Sequence, residues 1–311
     1  MQKIFIVATL FFVAATIVGC TGNNGGRSGS ASGKIFIVST TAQIGDAVSH
    51  VGAEFVESMS LMGPGIDPHT YKPTHGDVER LTGADIIFYN GNHLEGKMGD
   101  IFEQMSGSKP TVAVADGIPE ELYITNVSFP GAHDPHIWFD VDLWVMVVQY
   151  VAESLAEFDP DHTDEYFANA EAYESELHEL DTYVTNRALE LDDSSRVLIT
   201  AHDAFGYFGQ AYSFEVRGLQ GISTATEAGT ADVSSLADFI TERQIPAIFV
   251  ESSVSPRTIE AVQAAVESRG YNVEIGGQLF SDAMGEPGTF EGTYIGMVTY
   301  NIDTIVDSLS R

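Results

Sequence analysis

The chain has 311 residues, 44 % of them apolar, which is enough to bury a sizeable core and argues against a chain disordered by composition. Lys and Arg number 14 against 45 Asp and Glu, so the formal net charge is −31 and the basic face that a nucleic-acid partner needs is missing. The acidic residues are spread along the chain, which favours adaptation to a salty exterior over a surface that concentrates cations.

The N-terminus has the pattern of an export signal. Lys3 precedes an apolar run over residues 4–18 that is too short for a stable transmembrane helix. Residues 17–20 (IVGC) are typical of a lipobox, which predicts a signal peptide over residues 1–20 and lipidation of Cys20. The alternative is a buried or redox cysteine; as the lone cysteine, Cys20 cannot form an intrachain disulfide. Residues 21–33, rich in Gly, Ser and Asn, are expected to be a flexible tether to the membrane, facing the periplasm or the cell exterior.

Residues 34–158 are predicted to form a first α/β lobe, because short apolar runs alternate with helical stretches. This alternation predicts a mainly parallel sheet flanked by helices. The predicted strands are 34–39, 55–61, 85–89 and 111–115, and the predicted helices are 41–51, 74–83, 94–105 and 139–158.

Residues 159–192 differ, because they carry apolar residues at helical spacing and no strand signal. A helix of roughly 30 residues spans about 45 Å, which is long for one lobe and suits a rigid rod joining two. Alternation then restarts over residues 193–311 and predicts a second α/β lobe. Its predicted strands are 197–200, 214–219, 247–251 and 273–280, and its helices are 204–212, 232–243, 256–269 and 294–309.

The fold class is therefore α/β, with two lobes joined by one long helix. Ligands of open α/β sheets bind beyond the carboxyl ends of the strands, so the cleft between the lobes is the expected site.

A repeated tripeptide in the first lobe presents two histidines. Asp-Pro-His occurs at residues 67–69 and again at residues 134–136. Proline fixes its own φ and restricts the residue before it, so His69 and His136 are each presented from a stiff loop. One such tripeptide is weak evidence for a site, whereas two in matching loops point to a shared role.

The second lobe offers His202 after the strand 197–200, and Asp282 after the strand that ends at residue 280. Strand ends of both lobes can converge in one cleft, so we predict a metal site of His69, His136, His202 and Asp282. Imidazole suits Zn²⁺, and carboxylate also admits Mn²⁺. The set fills a tetrahedral site, or a five-coordinate one if the carboxylate binds through both oxygens. It leaves no open position for an activated water, which favours binding over hydrolysis.

The other histidines are expected to lie outside the site. His133, three residues before His136, is the closest competitor; His162 and His178 should be solvated on the linking helix, and His50 should end a helix. His75 and His93 lie near the first-lobe loops and have at most a supporting role.

Three carboxylates could support the site without binding the ion. Asp67 and Asp134 would orient the imidazoles or cap the following segment. Glu251, at the end of a predicted strand, is either a structural ion-pair partner, which we favour, or a weak extra ligand.

Four segments carry a resemblance to a known family: residues 61–69 (LMGPGIDPH), 134–140 (DPHIWFD), 200–208 (TAHDAFGYF) and the closing run 279–305. Over residues 34–311 the chain resembles the TroA-type zinc- and manganese-binding lipoproteins, which include ZnuA- and PsaA-like proteins. The resemblance implies the same four ligands and two lobes joined by one long helix.

Two differences between this sequence and its relatives bear on which metal ion is carried. Zinc-specialised relatives often carry a long loop rich in His and acidic residues before the second histidine, and residues 120–134 here are short and contain only His133. Manganese-tuned relatives often have glutamate where His202 stands, so zinc stays possible and should bind more tightly than manganese.

The resemblance implies a monomeric solute-binding protein, not an enzyme, that captures Zn²⁺ or Mn²⁺ as cargo for an ABC permease and, through it, an ATPase. We expect only small movements of the second lobe, because a single helix resists wide hinge opening. The alternatives are a metal-dependent hydrolase, for which no His-Glu-x-x-His motif is present, and a binder of haem or a chelated metal.

Overall fold

The computed structural model describes residues 33–125 and 131–311. The predicted signal peptide, Cys20 and residues 21–32 of the tether lie outside the described residues. Strands and helices alternate in the first part of the chain: β1 (Ile35–Ser39), α1 (Ala42–Gly52), β2 (Val56–Ser60), α2 (His75–Gly83), β3 (Ile86–Tyr89), α3 (Gly99–Ser106), β4 (Thr111–Ala113) and α4 (Val141–Phe158). In the described ranges, no helix has the length and apolar character needed to cross a membrane.

A long helix, α5 (Thr163–Ala188), leads into the second part of the chain. Alternation then resumes: β5 (Val197–His202), α6 (Gly206–Tyr212), β6 (Glu215–Gln220), α7 (Thr230–Arg243), β7 (Ala247–Glu251), α8 (Arg257–Glu267), β8 (Glu274–Leu279) and α9 (Tyr294–Leu309).

The first four strands form one parallel sheet in the order β2-β1-β3-β4. Its central strands are apolar without alternation: Ile37 and Val38 of β1, and Ile86 and Ile87 of β3, are all fully buried. Continuous burial of neighbouring residues requires both faces of the sheet to be covered, as parallel sheets are. The carboxyl ends of these strands therefore all open onto one edge, where the loops that carry the site begin.

The later strands form two parallel pairs, β5–β6 and β7–β8, and β5 also lies beside β7. A β-bulge between Ile248 and Phe249 interrupts the second pair. Every strand pair in the described part of the chain is parallel, so the predicted α/β class with mainly parallel sheets is confirmed.

Helix α5 is shorter than predicted. Its 26 residues span about 39 Å. Asp159 ends α4 and a separate 3-10 turn, Pro160–His162, follows, since Pro160 has no backbone N–H with which to continue a helix. The buried side of α5 includes Tyr173 and Leu177. This helix packs on α1, α4 and α9.

One apolar cluster runs through both parts of the chain. It joins Ile44 and Trp144, on the side of the first sheet, to Leu177 of α5 and to Phe249 and Ile302 beyond it. The rings of Trp144 and Tyr294 stack with their centroids 5.1 Å apart. Separating the two halves would expose this apolar surface to water, so the packing opposes a wide opening.

Two predicted boundaries are wrong in ways that matter for the site. The helix predicted from residue 94 begins only at Gly99, because Asn92 and His93 have positive φ angles and Glu95 turns back to accept a hydrogen bond from the backbone N–H of Asn90. Strand β5 continues two residues further than predicted, so His202 is its last residue.

Candidate metal centre

Four side chains from four distant parts of the sequence converge at the carboxyl ends of the strands. They are His69, His136, His202 and Asp282, and one ligand atom of each lies within 4.8 Å of those of the others. Their side chains are buried, 2 % exposed for His69 and 0 % for the other three.

His69 lies in the loop between β2 and α2. Gly65 turns this loop with a φ of 72°, a conformation that residues with a Cβ rarely adopt. Asp67 Oδ1 then accepts a hydrogen bond from the backbone N–H of His69 at 2.9 Å. Two roles were predicted for Asp67: orienting the imidazole, or capping the following segment. This hydrogen bond fixes the backbone that carries the imidazole.

His136 is held through both its backbone and its ring. Asp134 Oδ1 accepts from the backbone N–H of His136 at 3.0 Å and from its Nδ1 at 2.7 Å. The loop itself is anchored by Asn90, whose Nδ2 donates to the carbonyl of Pro135, and by Tyr207, whose hydroxyl donates to the carbonyl of Asp134. Since Nδ1 is engaged as a donor, Nε2 of His136 presents its lone pair to the centre.

His202 is oriented by Glu251 in the same manner. Glu251 accepts from the backbone N–H of His202 at 2.8 Å and from its Nδ1 at 2.5 Å. Both residues are the last of their strands, β5 and β7, which lie side by side. Glu251 is therefore the ion-pair partner that we favoured, and because it holds Nδ1, the other ring nitrogen of His202, Nε2, faces the centre.

Asp282 follows β8 in a loop tied to the other half of the molecule. Trp138, two residues after His136, donates its indole N–H to the carbonyl of Ser281 at 3.1 Å. Ser253 donates to Asp282 Oδ2 at 3.3 Å. The loops that carry His136 and Asp282 are thus joined directly.

The distances between the four ligand atoms suit one small cation. The Nε2 atoms of His69 and His136 are 3.2 Å apart, and Asp282 Oδ1 lies 3.5 Å from Nε2 of His136 and 3.3 Å from Nε2 of His202. Ligands about 2.0 to 2.1 Å from a tetrahedral Zn²⁺ are separated by about 3.3 Å. Nε2 of His202 and Oδ1 of Asp282 are also buried with no hydrogen-bond partner among the described residues, as expected of atoms that bind an ion.

The pKa values of His69 and His202 are shifted in opposite directions. Burial lowers the pKa of His69 to about 4 despite the nearby charge of Asp282, so this imidazole is neutral at pH 7. Burial acts in the same direction on His202, but the charges of Asp282 and Glu251 outweigh it and hold the pKa of His202 well above its ordinary value. For Asp282, burial acts to raise the pKa, but the surrounding imidazoles outweigh it and hold the pKa well below its usual range.

The competing histidines lie elsewhere. His133 stacks on Tyr123 and pairs with Glu120 at 3.1 Å, outside the group of four. His178 is exposed on α5, as predicted. His162 does not lie on the linking helix: it is in the turn before α5, where it donates to Asp159 and packs on Phe55.

The remaining three histidines also lie outside the group of four. His75 is exposed and pairs with Glu79, and His93 is exposed in its turn. His50 lies in the last turn of α1 and stacks on Tyr173 of α5.

Several supporting residues were not predicted from the sequence. Asn90, Tyr207 and Trp138 hold the site loops through contacts between residues 45 to 143 positions apart. Gly206 lies in the motif at residues 200–208, and no role was predicted for it. A Cβ at this position would come within 2.8 Å of Asp134 Oδ2, so glycine lets α6 begin against that carboxylate. Only a signal of spatial proximity would have identified them.

Three imidazoles and one carboxylate, buried and converging at the strand ends of a parallel α/β protein, define a binding protein for a divalent transition-metal ion. Residues 37–308 match the profile of the ZnuA family, described as zinc-uptake complex component A, periplasmic, and the chain belongs to that family.

Two curated relatives span nearly the whole chain. It is 50 % identical over 297 residues to zinc-binding protein TroA of Treponema pallidum, covering 95 % of each chain. It is 43 % identical over 304 residues to manganese-binding lipoprotein MntA of Bacillus subtilis, covering 98 % of each. The solved structure of periplasmic zinc-binding protein TroA from Treponema pallidum superimposes with a TM-score of 0.87, at 52 % identity, over 90 % of this chain and 100 % of that one.

Proposed function

We propose that this chain is the solute-binding component of a metal ABC importer and that it carries one Zn²⁺ or Mn²⁺ ion as cargo. The observation that carries this proposal is the convergence of four buried ligand atoms within 4.8 Å of one another. The family description and the names of the two relatives, one zinc-binding and one manganese-binding, support it.

The proposed ligands are His69, His136, His202 and Asp282. Asp134 and Glu251 each accept a hydrogen bond from the Nδ1 of a ligand histidine, which aims Nε2 at the ion. With three imidazoles among four ligands, the Irving–Williams order favours Zn²⁺ over Mn²⁺ in equilibrium affinity.

We further propose that the protein has no catalytic activity. Four protein ligands saturate a tetrahedral Zn²⁺ and leave no position for a reactive water. The same saturation disfavours haem or a chelated metal, since a cargo that already surrounds its metal does not need four protein ligands.

We also propose a domain organisation, an assembly state and a location for the chain. Residues 34–158 and 193–311 would be two lobes joined by a linking segment, 159–192, and the chain would act as a monomer. Lipidation of Cys20 would tether it outside the cytoplasmic membrane, where it delivers the ion to a permease coupled to an ATPase.

The test is a calorimetric titration of metal-stripped protein with Zn²⁺ and, separately, with Mn²⁺. We expect one ion per chain, tighter binding of zinc, and a higher melting temperature in the presence of either ion, because the ion binds only the folded state. Cells lacking this chain should accumulate less of the physiological metal and recover when the gene is restored. A chain that binds neither ion would contradict the proposal.

A further inference from the structure

The loop between β6 and α7, residues 221–229, crosses from the later strands to the loop that carries His69. We call it the strap. Thr224, near its middle, donates its hydroxyl to Asp67 Oδ2 at 2.7 Å, a contact between residues 157 positions apart in the chain. Both residues are half-buried. The strap thus joins the two halves of the molecule beside the candidate metal centre.

The carboxylate that Thr224 contacts is the one that holds His69 in place. Asp67 Oδ1 accepts from the backbone N–H of His69 at 2.9 Å, while Oδ2 accepts from Thr224 and from the exposed Thr70. The two oxygens belong to one rigid group, so a bond to one restrains the orientation of the other. Loss of the Thr224 bond would leave the carboxylate freer to rotate and would loosen the backbone of His69.

The strap starts next to a second ligand. In the β5–β6 ladder His202 is paired with Gln220, the residue immediately before the strap. The strap therefore extends from beside His202 to the carboxylate that supports His69. Among the four candidate ligands, His69 alone has any exposed side-chain surface, 2 % against 0 % for the others. His69 is thus the least enclosed of the four side chains.

The strap makes few other hydrogen bonds. In the described ranges, no backbone–backbone hydrogen bond involves residues 222–228. A cavity of about 340 Å³ lies behind the strap, between its residues and Leu219, Gln220 and Asp232. The strap's side-chain hydrogen bonds are few: Gln220 Nε2 donates to the carbonyl of Thr226, and the backbone N–H of Ala225 donates to Ser223 Oγ. Gln220 Oε1 is buried without a hydrogen-bond partner among the residues that the structure describes. A segment with few backbone bonds and space behind it can move at low cost.

We propose that the strap is the release gate of the metal site and that the Thr224–Asp67 hydrogen bond sets the rate at which the ion leaves. This inference rests on the proposed function. Thr224 acts as a positioning residue: it binds no metal, and it acts through Asp67 on His69. A membrane partner that draws the strap away would break one hydrogen bond and loosen one of the four ligands.

The test compares zinc release from the parent and from Thr224→Val, Thr224→Ser and Thr226→Val, each loaded with one equivalent of Zn²⁺. A large excess of a chromogenic chelator is added and the first-order release is recorded. Thr226→Val is the matched control, because Thr226 is exposed on the same strap and its hydroxyl makes none of the hydrogen bonds found in the described residues. The melting temperature of each metal-free variant is measured alongside.

We expect Thr224→Val to release zinc about tenfold faster than the parent, from the loss of one hydrogen bond to a charged acceptor. Thr224→Ser and Thr226→Val should release at the parent's rate, and all metal-free variants should melt together. The inference is overturned if Thr224→Val releases at the parent's rate, or if Thr226→Val is equally fast. It is also overturned if faster release is matched by a lower melting temperature of metal-free Thr224→Val, which would assign Thr224 to the stability of the fold. A parent that takes up no zinc would instead overturn the proposed function itself.

Discussion

Glu251 engages His202 twice, through the backbone N–H at 2.8 Å and through Nδ1 at 2.5 Å, with both side chains fully buried. The carboxylate thereby sets which ring nitrogen faces the centre, the rotation of the imidazole and the position of its backbone. Asp134 makes the same pair of bonds to His136. Two of the three imidazoles are therefore fixed before any ion arrives, which lowers the ordering cost of binding.

We predict that Glu251→Ala weakens zinc binding by about 10- to 100-fold, the range found when the partner of a metal-binding histidine is removed. The variant leaves Nδ1 and the backbone N–H of His202 without their acceptor, so the imidazole can rotate away. Competition titration against a chelator of known affinity measures the change. Asp134→Ala should behave alike at His136. Parent-like affinity in both variants would contradict the orienting role.

Direct ligands should matter more. His69→Ala and Asp282→Ala are each expected to lower zinc affinity by more than about 100-fold, because each removes a ligand outright where loss of a supporting residue costs about 10- to 100-fold. His133→Ala is the control, since His133 lies near His136 in sequence but outside the group of four. Its affinity should equal that of the parent. A loss of binding in His133→Ala that matches His69→Ala would place the site elsewhere.

Zinc binding should weaken as the pH falls. Asp282 and Glu251 raise the pKa of His202 well above its ordinary value, so in the metal-free protein this imidazole binds a proton more tightly than an ordinary histidine does. The ion must displace that proton, whereas His69, with its pKa lowered to about 4, is already neutral. Affinity therefore rises with pH below the pKa of His202, by about one power of ten per pH unit.

Calorimetry at several pH values, in buffers of different ionisation enthalpy, measures both the affinity and the protons released. Glu251→Gln is the matched variant: it removes a charge that raises the pKa of His202, so fewer protons should be released at pH 7. An affinity that does not vary between about pH 5.5 and 7.5 would show that no proton is displaced.

Loading should change the overall shape very little. The apolar cluster through α5 is shared by both halves, and Trp138 donates to the carbonyl of Ser281 while accepting at its own carbonyl from the Tyr294 hydroxyl at 2.8 Å. We predict nearly identical small-angle scattering curves for metal-free and zinc-loaded protein. A difference that requires rotation of one half by tens of degrees would refute this rigidity.

The sequence was informative where chemistry is local. Proline after aspartate marked the loops of His69 and His136, and apolar runs located the strands whose ends carry His202 and Asp282. It was less informative where contacts are long-range. Nothing near Thr224 indicates that its hydroxyl meets Asp67, because that contact depends on how two halves of the chain pack.

The predicted start of α3 was wrong for a related reason. The residues before α3 have good helical periodicity, yet Glu95 is buried and bonds Thr40 and the backbone N–H of Asn90 instead of pointing to solvent from a helix. Such a tertiary contact overrides local propensity.

We expect His69, His136, His202 and Asp282 to bind one ion together. X-ray absorption spectroscopy at the zinc edge, on protein loaded with one equivalent of Zn²⁺, tests it most directly. We predict four or five nitrogen and oxygen ligands at about 2.0 to 2.2 Å, with the outer-shell scattering of three imidazoles. A shell of six oxygens without imidazole scattering would show that these four side chains do not bind the ion.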